Sequence, residues 1–432
     1  MSARAMHIRA ASRALASSSS PARRPPARLC APGRVRSFSK PSDAAPEAAP
    51  DAAHPRPAFV TRQLQIPIDP AVAREPPGET IPGSPISVLR TVAGIRHWAS
   101  AACRDGPHAA RARARAGDQG LALVPTMGAL HEGHLRLIRD AVGRGHNKIV
   151  VSIYVNPAQF GVAEDLDSYP KTWEADCAAL RALHQELGAA GGPLEMAVFA
   201  PTTREMYPSG FPGQEPDSDG SFVTITPVGA LLEGRTRPTF FRGVATVCMK
   251  LFNIVQPTRV FFGQKDVQQT VVVRKMVRDF CMPLEAVVVP TVRDQSDGLA
   301  LSSRNVYLGT RRRRAAPVLI RALRAAERAY CVDGALDAGD VITAALNVIL
   351  DTLEEQKDLP PHEGVMFKLD YISLADPDTM EEIDQIDPSK GAILSGAVKM
   401  LPVFEPQQGE DLGHNNGPPV RLIDNIILPP KP

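Results

Sequence analysis

The chain has 432 residues, 44% of them hydrophobic and 22% charged, with a formal net charge of +2. This composition is typical of a globular protein with two or three domains, and no run approaches the roughly 18 apolar residues of a membrane span. Eight arginines, one lysine and no acidic residue fall within residues 1–42. Without those nine of the 49 basic residues, the rest of the chain has 47 acidic residues and a net charge of −7. We therefore expect neither a membrane nor a nucleic acid as partner.

The first 85 residues form a leader rich in arginine, serine and proline, and we expect them to be disordered. Residues 1–42 have the composition of a mitochondrial transit peptide, which predicts a mitochondrial location. The alternative is a plain tail on a cytoplasmic protein. The six cysteines are scattered without close pairs, which favours a reducing compartment over a disulfide framework or a zinc ribbon.

Residues 86–291 alternate short apolar runs with segments of helical periodicity. A helix is predicted first, over Ser87–Ala102. The predicted strands are Leu121–Val124, Ile149–Val155, Met196–Phe199, Arg259–Phe262 and Ala286–Val289. The predicted helices between them are Leu135–Val142, Trp173–Leu187, Val244–Val255 and Val267–Phe280. This alternation indicates an α/β domain whose parallel sheet is covered by helices on both faces and binds ligands at the carboxyl ends of its strands.

Residues 292–432 follow a different pattern and predict a smaller α+β domain with antiparallel strands. The predicted helices are Ala315–Cys331 and Val341–Glu355, followed by strands Lys368–Leu374, Ala392–Pro402 and Arg421–Leu428. Glu405–Pro419 is polar and rich in Gly, Pro and Asn, which predicts an exposed loop. Two arginine runs are expected to be surface charge, namely Arg311–Arg314 and the alternating Arg111, Arg113 and Arg115.

A turn with two histidines, Met127–His134, follows the first strand of the predicted sheet. The amino end of a helix offers free N–H groups to an anion, and two imidazoles there can contact phosphate oxygens. Gly133, between His131 and His134, removes a side chain where phosphates would approach the backbone. Taken alone, the turn equally allows a pair of histidines without a role. A zinc site is disfavoured because no second ligand cluster stands nearby.

Three further segments at strand ends or in loops carry polar side chains. Asn156 and Gln159 can present amides to a hydroxylated substrate, although a structural turn is the alternative. Lys265 follows a glycine at a strand end and suits a phosphate, whereas Asp266 beside it can instead be a helix cap. The third segment, Gly298–Asn305, has two hydroxyls and a guanidinium that could close over a triphosphate.

Together these segments resemble the pantoate–β-alanine ligases, or pantothenate synthetases, from about residue 86 to 428. The shared motifs are P-T-M-G-A-L-H-E-G-H, V-N-P-A-Q-F-G, E-G-R-T-R-P, F-F-G-Q-K-D-V-Q-Q and L-S-S-R-N-V-Y-L. The resemblance implies a Rossmann-like fold of the HxGH nucleotidyltransferase superfamily and a homodimer. It also implies a ligase of coenzyme A biosynthesis. This ligase condenses pantoate with ATP to pantoyl adenylate and pyrophosphate, after which β-alanine displaces AMP to give pantothenate.

The resemblance also assigns residues. The ATP site would comprise Met127, Gly128, His131, His134, Gly263, Gln264, Lys265, Asp266, Val292, Leu301, Ser302, Ser303 and Arg304. Pantoate and β-alanine would be bound by Asn156, Gln159 and Gln269. The catalytic residues would be His131, His134, Lys265 and Arg304, with His134 the general acid or the electrostatic partner of the departing phosphate. Mg²⁺ would bridge phosphate oxygens, with Asp176 as a carboxylate contact.

Some positions depart from the usual pattern of the family. Gln264, Ala158 and Phe240 stand where glutamate, methionine and histidine are common, and Phe240 leaves one polar contact in doubt. Gln214–Gly220 and Glu405–Pro419 resemble surface insertions. Three rivals stay open: a nucleotidyltransferase whose product keeps AMP, a tRNA synthetase, which lacks support because no K-M-S-K-S loop is present, and a non-catalytic nucleotide-binding protein.

Overall fold

A computed structural model describes residues 79–101, 119–161, 166, 169–191 and 193–431, all within one compact unit. The predicted transit peptide and the run Arg111, Arg113 and Arg115 lie outside the described residues. The disorder expected for residues 1–85 is wrong at its end, because Glu79–Thr80 is a strand that pairs with Ser87 and Val88, and Ile81 is buried. Within the described ranges, no helix has both the length and the apolar character to cross a membrane. The division into domains at residue 292 stays a prediction.

The larger sheet has seven strands in the order β1-β2-β5-β4-β3-β6-β7, and only the β1–β2 pair is antiparallel. The strands are β1 (Glu79–Thr80), β2 (Ser87–Leu89), β3 (Leu121–Thr126), β4 (Lys148–Ile153), β5 (Glu195–Phe199), β6 (Arg259–Gly263) and β7 (Glu285–Val289). The central strands are buried on both faces because their residues are continuously apolar. All five strands predicted for residues 86–291 are confirmed.

Helices cover both faces of this sheet. They are α1 (Val92–Ala101), α2 (Glu132–Gly143), α3 (Trp173–Gly191), α4 (Thr203–Met206), α5 (Glu233–Thr236), α6 (Phe240–Val255) and α7 (Val267–Asp279). One core cluster joins α1, α6 and α7 to the sheet, and another joins α2 and α3 to its opposite face. The α/β class, Rossmann-like with helices on both faces, is therefore confirmed.

The helix predicted over Ser87–Ala102 is wrong at its start. Ser87–Leu89 is strand β2, paired in parallel with β5, and Val88 is buried. The helix begins only at Val92, where the Thr91 hydroxyl accepts a hydrogen bond from the Gly94 N–H at 3.0 Å. A short apolar strand followed at once by an amphipathic helix gave the misleading helical spacing.

The C-terminal part packs three helices on a three-stranded antiparallel sheet of order β10-β9-β8. The helices are α8 (Gly309–Ala315), α9 (Val318–Cys331) and α10 (Ala338–Asp358), and the strands are β8 (Phe367–Ala375), β9 (Ala392–Met400) and β10 (Val420–Leu428). The predicted helix from Ala315 is broken at Pro317, which cannot continue a helix. The opposite face of the small sheet packs on the part built around the larger sheet, because Ala375 and Ile393 belong to the core cluster that joins that sheet to α1, α6 and α7.

The expectation that Arg311–Arg314 is surface charge is wrong for its first half. Arg312 is completely buried and donates to the carbonyls of Leu308 at 2.9 Å and Pro418 at 2.7 Å, while Arg311 is buried against Glu410. A guanidinium has five N–H donors, and those of Arg312 bond the Leu308 carbonyl of the preceding segment and the Leu412 and Pro418 carbonyls of the 405–419 loop. Most of that loop is exposed, as expected, but Arg311 and Arg312 bond it to α8 through Glu410 and Pro418.

Candidate active site

The topology places the predicted site segments together. Along β5-β4-β3-β6-β7 the chain order reverses between β3 and β6, and ligands bind at such a switch point. The turn Met127–His134 follows β3, and a short 3₁₀ helix, Gln264–Asp266, follows β6. A cavity of about 770 Å³ opens here, with walls from both parts of the molecule.

Most of the predicted site residues line this cavity. They are Met127, His131, His134, Gln159, Gly263, Lys265, Asp266, Gln269, Val292, Leu301, Ser302, Ser303 and Arg304. Four others are not among the residues that line it, namely Gly128, Asn156, Asp176 and Gln264. Asn415, Pro418 and Pro419, at the end of the predicted surface insertion Glu405–Pro419, also line the cavity, a contribution that the sequence did not indicate.

The turn after β3 is fixed by Asp176, a buried residue of α3. Its two carboxylate oxygens accept hydrogen bonds from the N–H groups of Ala129 at 3.0 Å and Leu130 at 2.7 Å. Gly128 has a φ of +83°, and a Cβ there would lie 3.0 Å from the Asp176 carboxylate. Asp176 thus holds the backbone of the turn, and the predicted metal contact stays a prediction.

The two histidines form a reciprocal cap at the start of α2. The Gly133 N–H donates to Nδ1 of His131 at 3.1 Å, and the His131 N–H donates to Nδ1 of His134 over a longer 3.4 Å. Each Nδ1 is therefore an acceptor, so in the neutral rings the hydrogen is on Nε2. The ring centroids lie 4.1 Å apart.

The environment keeps both imidazoles neutral. Burial, followed by the charge of Lys265, lowers the pKa of His131 to about 4. Burial, followed by His131 and Lys265, lowers the pKa of His134 to about 3. A ring that is neutral at pH 7 can donate from Nε2 but holds no extra proton to transfer. Of the two roles expected for His134, this lowered pKa fits the electrostatic partner better than the general acid, and the role itself stays a prediction.

Gln159 faces the cavity, and Asn156 stands behind it. The buried Asn156 donates from Nδ2 to Oε1 of Gln159 at 3.0 Å, and its Oδ1 accepts from the Tyr207 hydroxyl at 2.8 Å. Arg237 donates to the Gln159 carbonyl at 2.9 Å and stacks 3.9 Å over the ring of Phe240. The phenyl ring that stands where histidine is common therefore supports a guanidinium.

The turn after β6 directs neighbouring side chains differently. The Nζ of Lys265 lies 3.8 Å from a carboxylate oxygen of Asp266 beside the cavity. Gln264 instead donates from Nε2 to Oδ1 of Asn425 at 3.1 Å. Asp266 occupies the N-cap position of α7 but makes no capping hydrogen bond with its side chain, so the capping alternative is wrong.

Another wall of the cavity, called the second wall here, is the segment Ser302–Arg304, at the start of the 3₁₀ helix Ser303–Tyr307. The Ser302 hydroxyl accepts a hydrogen bond from the Arg304 N–H at 3.3 Å. Asn305 anchors this wall by donating to the Ala300 carbonyl at 3.0 Å. These bonds hold the Ser302–Arg304 segment, which lines the cavity. Its closure over a triphosphate stays a prediction.

Sequence reasoning missed a polar network that joins the two parts at the cavity. Glu233 of α5 accepts from Arg421 of β10 at 2.5 and 2.7 Å and from the Tyr371 hydroxyl at 2.8 Å. Gln268 accepts from the Glu233 N–H at 3.1 Å and donates to the Val228 carbonyl at 2.8 Å. The motif E-G-R-T-R-P contains Glu233, but its partners lie far along the chain, so no local pattern could indicate them.

The fold and the cavity define a class of protein, an α/β protein with a candidate ligand site at the switch point of its parallel sheet. A family model described as pantoate-beta-alanine ligase matches residues 88–427. The chain belongs to that family, and the expected activity, ATP-dependent condensation of pantoate with β-alanine, is confirmed by this membership.

Curated relatives and a solved structure agree with this assignment. The pantothenate synthetase of Chloroflexus aggregans is 46% identical over 316 residues, which cover 73% of this chain and 96% of that enzyme. The pantothenate synthetase of Thermobifida fusca is 47% identical over 311 residues, covering 71% of this chain and 89% of that enzyme. The crystal structure of the Thermus thermophilus enzyme aligns with a TM-score of 0.57 at 37% identity, covering 79% of this chain and 98% of that one.

Proposed function

We propose that the cavity at the switch point carries out both steps of the ligase reaction, with roles set by the residues that line it. The observation that carries this proposal is that one cavity joins the His131–His134 turn, Lys265, the Ser302–Arg304 wall and the amides of Gln159 and Gln269. The first three suit a triphosphate, and the two amides suit a small hydroxy acid.

In the first step a carboxylate oxygen of pantoate attacks the α-phosphorus of ATP. The bond from that phosphorus to the bridging oxygen breaks, and pyrophosphate leaves with the electron pair. Charge accumulates on phosphate oxygens, where fixed donors stabilise it. The Nε2–H groups of His131 and His134, the ammonium of Lys265 and the guanidinium of Arg304 are the donors we assign to this task.

In the second step the amine of β-alanine attacks the acyl carbon of the adenylate. A C–N bond forms, the bond from the acyl carbon to the phosphate oxygen breaks, AMP leaves and the amine gives up a proton. We assign Gln159 and Gln269 to hold the pantoyl group through this exchange. The protein contributes positioning and shelter of the mixed anhydride from water.

Mg²⁺ would be held mainly by the phosphates. Among the described residues no group of three or more His, Cys, Asp or Glu side chains is arranged to hold a metal ion. This fits Mg²⁺, which usually binds substrate phosphates and water with one or two carboxylates. When bound, the ion would neutralise charge on the phosphate oxygens.

The test is an assay of the pure protein with ATP, Mg²⁺, D-pantoate and β-alanine. We expect AMP and pantothenate in equal amounts, and neither product when pantoate is omitted. A nucleotidyltransferase whose product keeps AMP would give no pantothenate and would be indifferent to β-alanine. A binding protein would show no turnover at all.

We further infer a homodimer and import into mitochondria, as the family resemblance and the composition of residues 1–42 respectively suggest. Light scattering should give about twice the chain mass of 46.4 kDa, and a mass of one chain would refute the dimer. A fluorescent reporter fused to residues 1–42 should enter mitochondria. A diffuse signal would favour the cytoplasmic alternative. The three relatives described above come from bacteria, and this also agrees with that alternative.

A further inference from the structure

Asn425, in the last strand of the small sheet, grips the backbone of the turn that carries Lys265. Its side-chain nitrogen donates to the carbonyl of Gln264 at 2.9 Å and to the carbonyl of Lys265 at 2.9 Å. Its side-chain oxygen accepts from Nε2 of Gln264 at 3.1 Å. Both amide hydrogens are thus committed to carbonyls, so this side chain is occupied in holding the turn.

Asn425 is in turn held in place by Asp424 and Arg293. The N–H of Asn425 donates to Oδ1 of Asp424 at 2.8 Å. The Asp424 carboxylate also accepts hydrogen bonds from both terminal nitrogens of Arg293, at 2.5 and 2.9 Å. Asn425 is 1% exposed and Asp424 5% exposed. Buried, fully paired amides and ion pairs hold one geometry, because breaking any member leaves an unsatisfied polar group.

The strand register explains why this contact reaches the cavity. Asn425 pairs with Ser395 of β9, on the face of the small sheet that meets the larger domain. Leu422 and Leu428 of the same strand belong instead to the core of the small domain. Alternation along β10 therefore aims Asn425 at the turn after β6, while its neighbours anchor the strand.

We propose that Asn425 is a positioning residue for the nucleotide site, which acts by fixing the backbone of Lys265. The lysine stem is flexible, so the place of its ammonium depends on where the turn is held. A small displacement of such a donor is costly in a site that stabilises transition-state charge. This inference rests on the phosphate role of Lys265 in the proposed function.

The test is a double-mutant cycle on the full chain, with pantoate-dependent ATP–pyrophosphate exchange as the readout. Asn425→Ala should reduce kcat/KM for ATP by about 10-fold in the wild-type background. In the Lys265→Ala background the same change should cost less than about 2-fold, because the group that it positions is already gone. The control is Asn253→Ala, since Asn253 also donates to a carbonyl, at 3.0 Å, but is exposed on α6.

Asn425→Ser serves as a second, neutral variant in case the alanine variant does not fold. Its short hydroxyl can donate to at most one of the two carbonyl groups, so it should show a loss in the same direction with the same dependence on Lys265. Equal losses in both backgrounds would identify a general structural role and overturn the inference, as would full activity of a folded Asn425 variant. If Lys265→Ala alone has no effect, the proposed role of Lys265 fails first, and the inference falls with it.

Discussion

Asparagine at position 176 would keep the shape of the aspartate but would remove one of the two acceptors that hold the histidine turn. The two carboxylate oxygens of Asp176 accept from Ala129 and Leu130, and one of them also accepts from Thr172 at 3.1 Å. In Asp176→Asn, one backbone N–H would face an NH₂ group and lose its partner. A hydrogen bond to a charged, buried group contributes about 1.5–3 kcal/mol.

We therefore expect Asp176→Asn to lower the free energy of unfolding by about 2–3 kcal/mol, measured by urea denaturation. The magnesium concentration that gives half-maximal exchange activity should be unchanged, because the Asp176 carboxylate is engaged with the backbone of the turn. The control is Glu174→Gln, an exposed neighbour on α3, which should change neither quantity. A variant as stable as the wild type that needs more magnesium would refute this reasoning and support Asp176 as a contact of the metal.

Three further predictions concern the protonation of the two histidines and the buried Arg312. Because burial lowers the pKa values of His131 and His134 to about 4 and about 3, the exchange rate at saturating magnesium should show no titration of an imidazole near pH 6.5; a loss of activity as pH rises through 6.5 would restore the general acid. The same pKa values mean that below pH 6.5 the unfolded chain binds more protons, so urea denaturation should give lower stability at pH 5 than at pH 7, and equal stability would contradict the lowered pKa values. Arg312→Ala should lower the free energy of unfolding by at least about 3 kcal/mol, as it leaves buried carbonyls unsatisfied, whereas Arg314→Ala, which truncates an exposed side chain, should have little effect by the same measurement.

The sequence predicts the layers of this fold well, because each central strand is a continuous apolar run and each covering helix has an apolar face. It also predicts the main site segments, because the carboxyl ends of β3 and β6 are adjacent at the switch point. The directions in which two adjacent side chains point could not be predicted from the sequence. Gln264 and Lys265 are adjacent in the chain, yet one meets Asn425 and the other lies at the cavity.

Long-range pairing explains the errors. Arg311 and Arg312 belong to a run of four arginines that local composition assigns to the surface, but Glu410 and Pro418, which bond them, lie about 100 residues further along the chain. Glu233 meets Arg421 only when the small sheet packs on the larger domain. Such contacts depend on the tertiary arrangement, and no local spacing records them.

The central claim is that the histidine and lysine turns stabilise charge as pantoate is adenylated, and ATP–pyrophosphate exchange measures that step alone. The wild-type protein should exchange labelled pyrophosphate into ATP only when pantoate is present, with no need for β-alanine. His134→Ala and Lys265→Ala should remain folded and exchange about 10²–10³ times more slowly. Exchange without pantoate, or folded variants that exchange at the wild-type rate, would contradict the account.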